Sequence, residues 1–364
     1  MSIADRVQPH VRSLEPYEPG KPIEEIEREL GIEGSVKLGL NENPLGPSPR
    51  AVAALHGAVE NVHRYPDGHA VALRRKLAER LELPEPSLIL GNGSDELLEL
   101  LAKTFLGPGD EVVHAWPSFA MYPIVVQGMG ATPVSVPLDE RRAHDLDALA
   151  EAVGARTKIV FVCNPNNPTG TSVGREAFDR FAASLPEDVV LVVDEAYFEY
   201  VRRDDFPDAL AWVRRRPATI VLRTFSKIYG LAGLRVGYGI TDPELADYLE
   251  RTRHPFSLNA MAQAAAVAAL DDEPHVARSR DLNARGMAYL GRELGTLGLE
   301  VTPSDANFLL VRVGAGVDEP LLREGVIVRS MAGFGLPEHV RVTVGLPEEN
   351  ERLVKALRRL REGG

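Results

Sequence analysis

Short runs of unbroken apolar residues alternate with stretches of helical spacing over the first two thirds of the chain. Strands are predicted at residues 36–40, 88–90, 111–114, 133–136, 159–163, 189–193, 219–222 and 235–240. Most are continuous and β-branched, as expected of strands buried on both faces of a parallel sheet. Between them lie helical patterns such as residues 95–105, where Leu97, Leu98, Leu101 and Phe105 share one face. This alternation predicts an α/β domain with a large, doubly wound, mostly parallel sheet. After about residue 245 the pattern changes. An Ala-rich helix at 259–270 and another at 276–297 precede short strands at 306–313, 326–329 and 341–344, and a helix at about 348–361 closes the chain. The expected organisation is a Pro-rich N-terminal arm, or part of the small domain, to residue 35, a large domain over 36–245 and a smaller α+β C-terminal domain over 246–364.

Composition sharpens this picture. With 364 residues, 44% hydrophobic and 26% charged, the chain can bury a sizeable core without staples or metals. A balance of 41 basic against 53 acidic residues, −12 in all, argues against nucleic acid or an anionic membrane as the main partner. It leaves room for a locally basic pocket. Cys163 is the only cysteine, so an internal disulfide and multi-cysteine zinc patterns are excluded. No membrane span and no secretory signal are expected, and a cytoplasmic location follows. Only seven of the basic residues are lysines, so a lysine inside a motif stands out.

Several familiar chemistries find no support. Gly91-Asn92-Gly93 follows a strand, but Glu96 takes the place of the third glycine of a dinucleotide turn. Walker A, HExxH and GxSxG patterns are absent, and His63 and His69 lack companion ligands, so no metal is expected.

Four segments do fall at the carboxyl ends of predicted strands, where open α/β sheets place ligands. In residues 91–96, Ser94 and Asp95 suit a helix cap, and the first-turn amides equally suit a phosphate. Residues 164–170 (Asn-Pro-Asn-Asn-Pro-Thr-Gly) make a rigid turn that would hold the Asn167 amide for a ligand oxygen. Asp194, at the end of an apolar strand, needs a partner: a cap, a salt bridge or a bound cationic ring nitrogen. Thr224, Ser226 and Lys227 follow another strand, with Arg235 eight residues beyond the lysine. Lys227 would form a Schiff base with a phosphorylated aldehyde gripped by Ser226 and Arg235. The four together meet the needs of pyridoxal phosphate.

On these residues, with Asn41-Glu42-Asn43-Pro44 and Arg64-Tyr65-Pro66-Asp67, the chain resembles the fold type I pyridoxal-phosphate-dependent aminotransferases, and among them the histidinol-phosphate aminotransferases, from Tyr17 to about Val344. The resemblance implies that Lys227 carries the cofactor and shuttles the substrate's Cα proton, and that Asp194 keeps the pyridine nitrogen protonated. It implies that Asn167 and Tyr197 bond the ring oxygen, that Phe119 stacks on the ring, and that the Ser94 and Asp95 amides, Thr224, Ser226 and Arg235 hold the phosphate. Many relatives have Tyr where Phe119 stands, so the ring face is kept without the hydroxyl. Tyr65 is implied to reach the neighbouring subunit's cofactor phosphate, which makes the protein a homodimer with shared active sites. Tyr17, Asn43, Arg329 and Arg341 are implied to bind the substrate, Asn43 having an equally good reading as a turn residue.

The implied reaction takes L-histidinol phosphate and 2-oxoglutarate to imidazole-acetol phosphate and glutamate. An aromatic amino-acid aminotransferase and a decarboxylase of a phosphorylated amino acid are the enzymatic alternatives. A regulator built on a retired aminotransferase domain would show a DNA-binding extension or a lost Lys or Asp, and the sequence shows neither.

Overall fold

The most apolar runs occupy the middle of the main sheet, where both faces need cover. In a computed structural model describing residues 2–14 and 22–362, the strands are β1 (Val36–Lys37), β2 (Leu88–Gly91), β3 (Glu111–Trp116), β4 (Thr132–Pro137), β5 (Thr157–Cys163), β6 (Val190–Asp194), β7 (Thr219–Thr224), β8 (Gly237–Thr241), β9 (Glu300–Thr302), β10 (Phe308–Arg312), β11 (Val326–Ile327), β12 (Arg329–Ser330) and β13 (His339–Thr343). Seven form the main sheet in the order β2-β8-β7-β6-β5-β3-β4. Helices pack on both faces over two apolar cores, one around Val162, Leu191 and Val221, the other around Phe161, Val192 and Leu222.

All pairings in this sheet are parallel except those of β8, which runs antiparallel to β2 and β7. The cause lies in the connection from β7. Residues 225–236 hold a short 3-10 turn, Ala232–Leu234, and no crossover helix, so the chain returns alongside itself. The strand expected from residue 235 therefore starts at Gly237, and Arg235 takes a left-handed conformation in the loop.

The C-terminal part builds an antiparallel sheet, β12-β13-β10-β9. The helices Glu273–Thr296 and Pro347–Glu362 supply Leu290 and Leu353 to its core. The two cores cut across the expected boundaries. Val36 and Lys37 pair in parallel with Val326 and Ile327, and Leu38 joins the C-terminal core. Conversely, the Ala-rich helix Ala260–Ala269 packs against Pro49–Val59 and Val71–Leu81, where Ala262, Ala265 and Ala266 join the larger core. Small side chains permit that close helix approach, which periodicity alone does not reveal. The arm contributes a helix at Ile23–Leu30.

This topology positions the site. Because β2, β5, β6 and β7 point the same way, the segments after Gly91, Cys163, Asp194 and Thr224 emerge at one edge of the sheet.

Candidate active site

A cavity of about 180 Å3 opens at that edge. It is lined by Lys227, Asp194, Tyr197, Phe119, Asn167 and Arg341. Ser94, Asp95, Thr224, Ser226 and Arg235 line it as well, so eleven of the expected positions share one space.

The end of the cavity nearest Arg235 is shaped by Gly93. It is the N-cap of the helix Ser94–Phe105, a place the sequence assigned to Ser94 or Asp95, and it has no side chain to cap with. Its φ is +81°, and a Cβ there would lie 2.5 Å from Arg235 Nη2. The missing side chain lets the guanidinium cross the helix start, where it donates to Asp95 Oδ2 at 2.8 Å. Thr224 Oγ1 donates to Ser226 Oγ at 3.0 Å and accepts from Ser226 N at 3.0 Å. Hydroxyls, a guanidinium and first-turn amides form a donor set suited to a phosphate.

Asp194 is buried, accepting from Tyr122 Oη at 2.8 Å through Oδ2 and from Ala196 N at 3.2 Å through Oδ1. Burial pushes its carboxyl up to about 6, against the downward pull of these two donors. A carboxylate held at this cost fits a cationic ring nitrogen. Glu195 turns the other way, into a buried pair with Arg223 at 2.8 Å.

Lys227 Nζ donates to Leu40 O at 3.3 Å. Burial first, then the nearby Arg341 guanidinium, lowers its ammonium to about 8, which favours the nucleophilic amine. Arg341 is itself buried: Nη1 donates to Asn167 Oδ1 at 2.5 Å and Nη2 to Gly39 O at 2.7 Å. Asn167 rides on a rigid loop, because Asn166 beside it is fully bonded. Asn166 Oδ1 accepts from Ser118 Oγ at 2.8 Å and pairs with His144 Nε2 at 3.2 Å, while Nδ2 donates to Pro117 O and Thr169 Oγ1. Burial lowers His144 to about 4, so it is neutral there.

The remaining candidates lie elsewhere. Asn43 is not a pocket residue. Its Nδ2 donates to Ile228 O and Ser279 Oγ and its Oδ1 accepts from Leu45 N, so the amide is used in holding the loop. Arg329 is not among the residues lining the cavity; it stands opposite Arg341 on the neighbouring strand. Tyr65 is 84% exposed and stacks on Phe256 with ring centroids 4.9 Å apart. Tyr17 lies outside the described residues. Two residues given no role from sequence, Asn41 and Tyr122, contact Tyr197 and Asp194 directly. Their signal was only proximity, Asn41 inside 41–44 and Tyr122 three residues after Phe119. Among the described residues no group of three or more His, Cys, Asp or Glu is placed to hold a metal ion.

The family model for aminotransferase class I and II matches residues 33–357. The chain belongs to that family. Its relatives include histidinol-phosphate aminotransferase 1 of Nitrosococcus oceani, 51% identical over 95% of this chain and 94% of that protein. Histidinol-phosphate aminotransferase of Moorella thermoacetica is 50% identical, over 96% and 92%. Among solved structures, histidinol-phosphate aminotransferase from Sinorhizobium meliloti in complex with pyridoxal-5'-phosphate superposes with a TM-score of 0.89, at 30% identity and 98% coverage of both chains. The mostly parallel sheet with helices on both faces is thus that of an aminotransferase.

Proposed function

We propose that this aminotransferase uses pyridoxal phosphate to transaminate L-histidinol phosphate with 2-oxoglutarate, giving imidazole-acetol phosphate and L-glutamate. The observation that carries the reading is one cavity in which an amine of lowered proton affinity, Lys227, meets two separately anchored guanidiniums, Arg235 and Arg341. They answer two anions, the cofactor's phosphate and the substrate's. Half identity to proteins named for this reaction, along nearly their full length, supports the substrate.

When bound, the cofactor supplies an electron sink for the negative charge developing at Cα. The protein's own groups do the rest. Arg235, Ser226, Thr224 and the first-turn amides of Ser94 and Asp95 hold the phosphate. Asp194 holds a proton on the ring nitrogen, and Tyr122 holds Asp194. Of the residues lining the cavity, Phe119 would cover the ring, and Asn167 and Tyr197 would bond its oxygen. Lys227 Nζ would take the proton from Cα and return it two atoms further along, to the carbon on the cofactor side of the substrate nitrogen. Arg341, with Arg329 beside it and Tyr17, binds the substrate's anionic end.

The exposed Tyr65–Phe256 stack supports a homodimer in which Tyr65 completes the partner's phosphate cup. The packing also supports a division into a large cofactor-binding unit and a small unit that takes in residues 36–38. The enzyme is assigned to the cytoplasm; its lone cysteine is buried, and no helix among the described residues is long and apolar enough to cross a membrane.

The half-reaction tests this reading. L-histidinol phosphate alone should bleach the visible band of the holoenzyme and release one equivalent of imidazole-acetol phosphate, and 2-oxoglutarate should restore the band. A band indifferent to histidinol phosphate would overturn it.

A further inference from the structure

Asn41 is 1% exposed and left-handed, with φ +57°, and every one of its polar groups is engaged. Its backbone N–H donates to Thr343 Oγ1 at 2.9 Å, and its carbonyl accepts from Asn307 Nδ2 at 3.1 Å. Its side chain joins Thr343 through Oδ1, at 3.1 Å, and the Tyr197 hydroxyl through Nδ2, at 2.9 Å.

The directions of these bonds follow from giving every buried hydrogen an acceptor. A backbone N–H can only donate, so Thr343 Oγ1 accepts there and must give its own hydrogen elsewhere. Its other partner is Asn41 Oδ1, which can only accept. That fixes the amide with Nδ2 towards Tyr197, and an amide nitrogen can only donate. The Tyr197 oxygen therefore receives a hydrogen from Asn41, and its own hydrogen is left for a partner in the cavity it lines.

We propose that Asn41 and Thr343 are positioning residues that set the Tyr197 hydroxyl as a donor to the bound cofactor's ring oxygen. The proposal rests on the reading of Tyr197 given under the proposed function. Thr343 lies two residues beyond Arg341 on β13, on the same face of the strand. The relay thus ties the orientation of Tyr197 to the strand that carries the substrate's arginine.

A hydrogen donated to the ring oxygen stabilises its anionic form, so the lysine-bound cofactor takes up its proton at lower pH. Losing the donor moves that midpoint up. Thr343→Val keeps the shape of the side chain, removes the hydroxyl and lets the amide turn over to accept from Tyr197. Asn41→Gly tolerates the left-handed backbone and removes the relay outright. The charged and titratable groups facing this corner, Lys227, Asp194, Asp95, Arg235, Arg341 and Cys163, are left in place by both.

The experiment is a pH titration of the visible absorbance of the holoenzyme. Thr343→Val and Asn41→Gly should each raise the midpoint by about half a unit or more, in the same direction as Tyr197→Phe. In a Tyr197→Phe background neither should move it further. A midpoint unchanged in both single variants, or raised equally with and without the Tyr197 hydroxyl, would overturn the proposal. Should one variant fail to fold, the other carries the comparison. A wild-type protein with no lysine-dependent band would instead remove the proposed function, and this inference with it.

Discussion

The Tyr122 hydroxyl donates to Asp194 Oδ2 at 2.8 Å; both groups are buried, and Asp194 lines the cavity. Even with this bond and the Ala196 amide, Asp194 stays at about 6, against an ordinary value of 3.8, because burial outweighs both. A cation bound beside it would favour its ionised form.

A stability cost follows, with a definite sign. Asp194 takes up its proton at a higher pH when folded than when unfolded, so ionisation penalises the cofactor-free fold above pH 6, and the penalty fades towards pH 4. Without cofactor, Asp194→Asn should be more stable than wild type at pH 8 by about 2–3 kcal/mol. The gain should shrink as the pH is lowered through 6. Chemical denaturation at both pH values checks this; an Asn variant no more stable than wild type at pH 8 contradicts it.

Lys227 titrates the opposite way. Its ammonium is lowered to about 8, so its nucleophilic form dominates above that pH. Loading of cofactor-free protein with pyridoxal phosphate should accelerate with pH to a midpoint near 8 and then level. In Arg341→Met, which removes the strongest nearby cationic repulsion, the midpoint should rise. Stopped-flow absorbance measures both; a rate still climbing through pH 10 in the wild type would contradict the lowered value.

Gly93→Ala tests the phosphate end. The added methyl meets the Arg235 guanidinium at 2.5 Å and the backbone needs φ +81°. Cofactor affinity should fall by roughly tenfold or more, about 1.4 kcal/mol. Unchanged affinity by calorimetric titration would mean that Arg235 does not need this approach.

Much of this arrangement is readable from the chain. Unbroken β-branched runs such as 159–163 and 189–193 reveal buried parallel strands, and acids, amides or a scarce lysine at their ends mark the ligand edge. Other features depend on partners far along the chain. That β8 runs antiparallel follows from a helix-free connection, which apolar periodicity does not register. Val36 pairs with Val326, and nothing local to either residue announces the other. Asn43 and Asn41 look alike in sequence, two residues apart. One braces a loop against Ile228 and Ser279, and the other meets Tyr197, a difference that exists only once the chain is folded.

The central claim, a site built for histidinol phosphate, is tested most directly by the ratio of steady-state kcat/KM for L-histidinol phosphate to that for L-phenylalanine, each with 2-oxoglutarate as acceptor. Both substrates bring a flat ring, and only the first brings a phosphate. The account predicts a ratio on the order of 100 or more in favour of histidinol phosphate, about 3 kcal/mol of differential transition-state binding. Equal values, or a preference for phenylalanine, would contradict it and make the protein an aromatic amino-acid aminotransferase on the same scaffold.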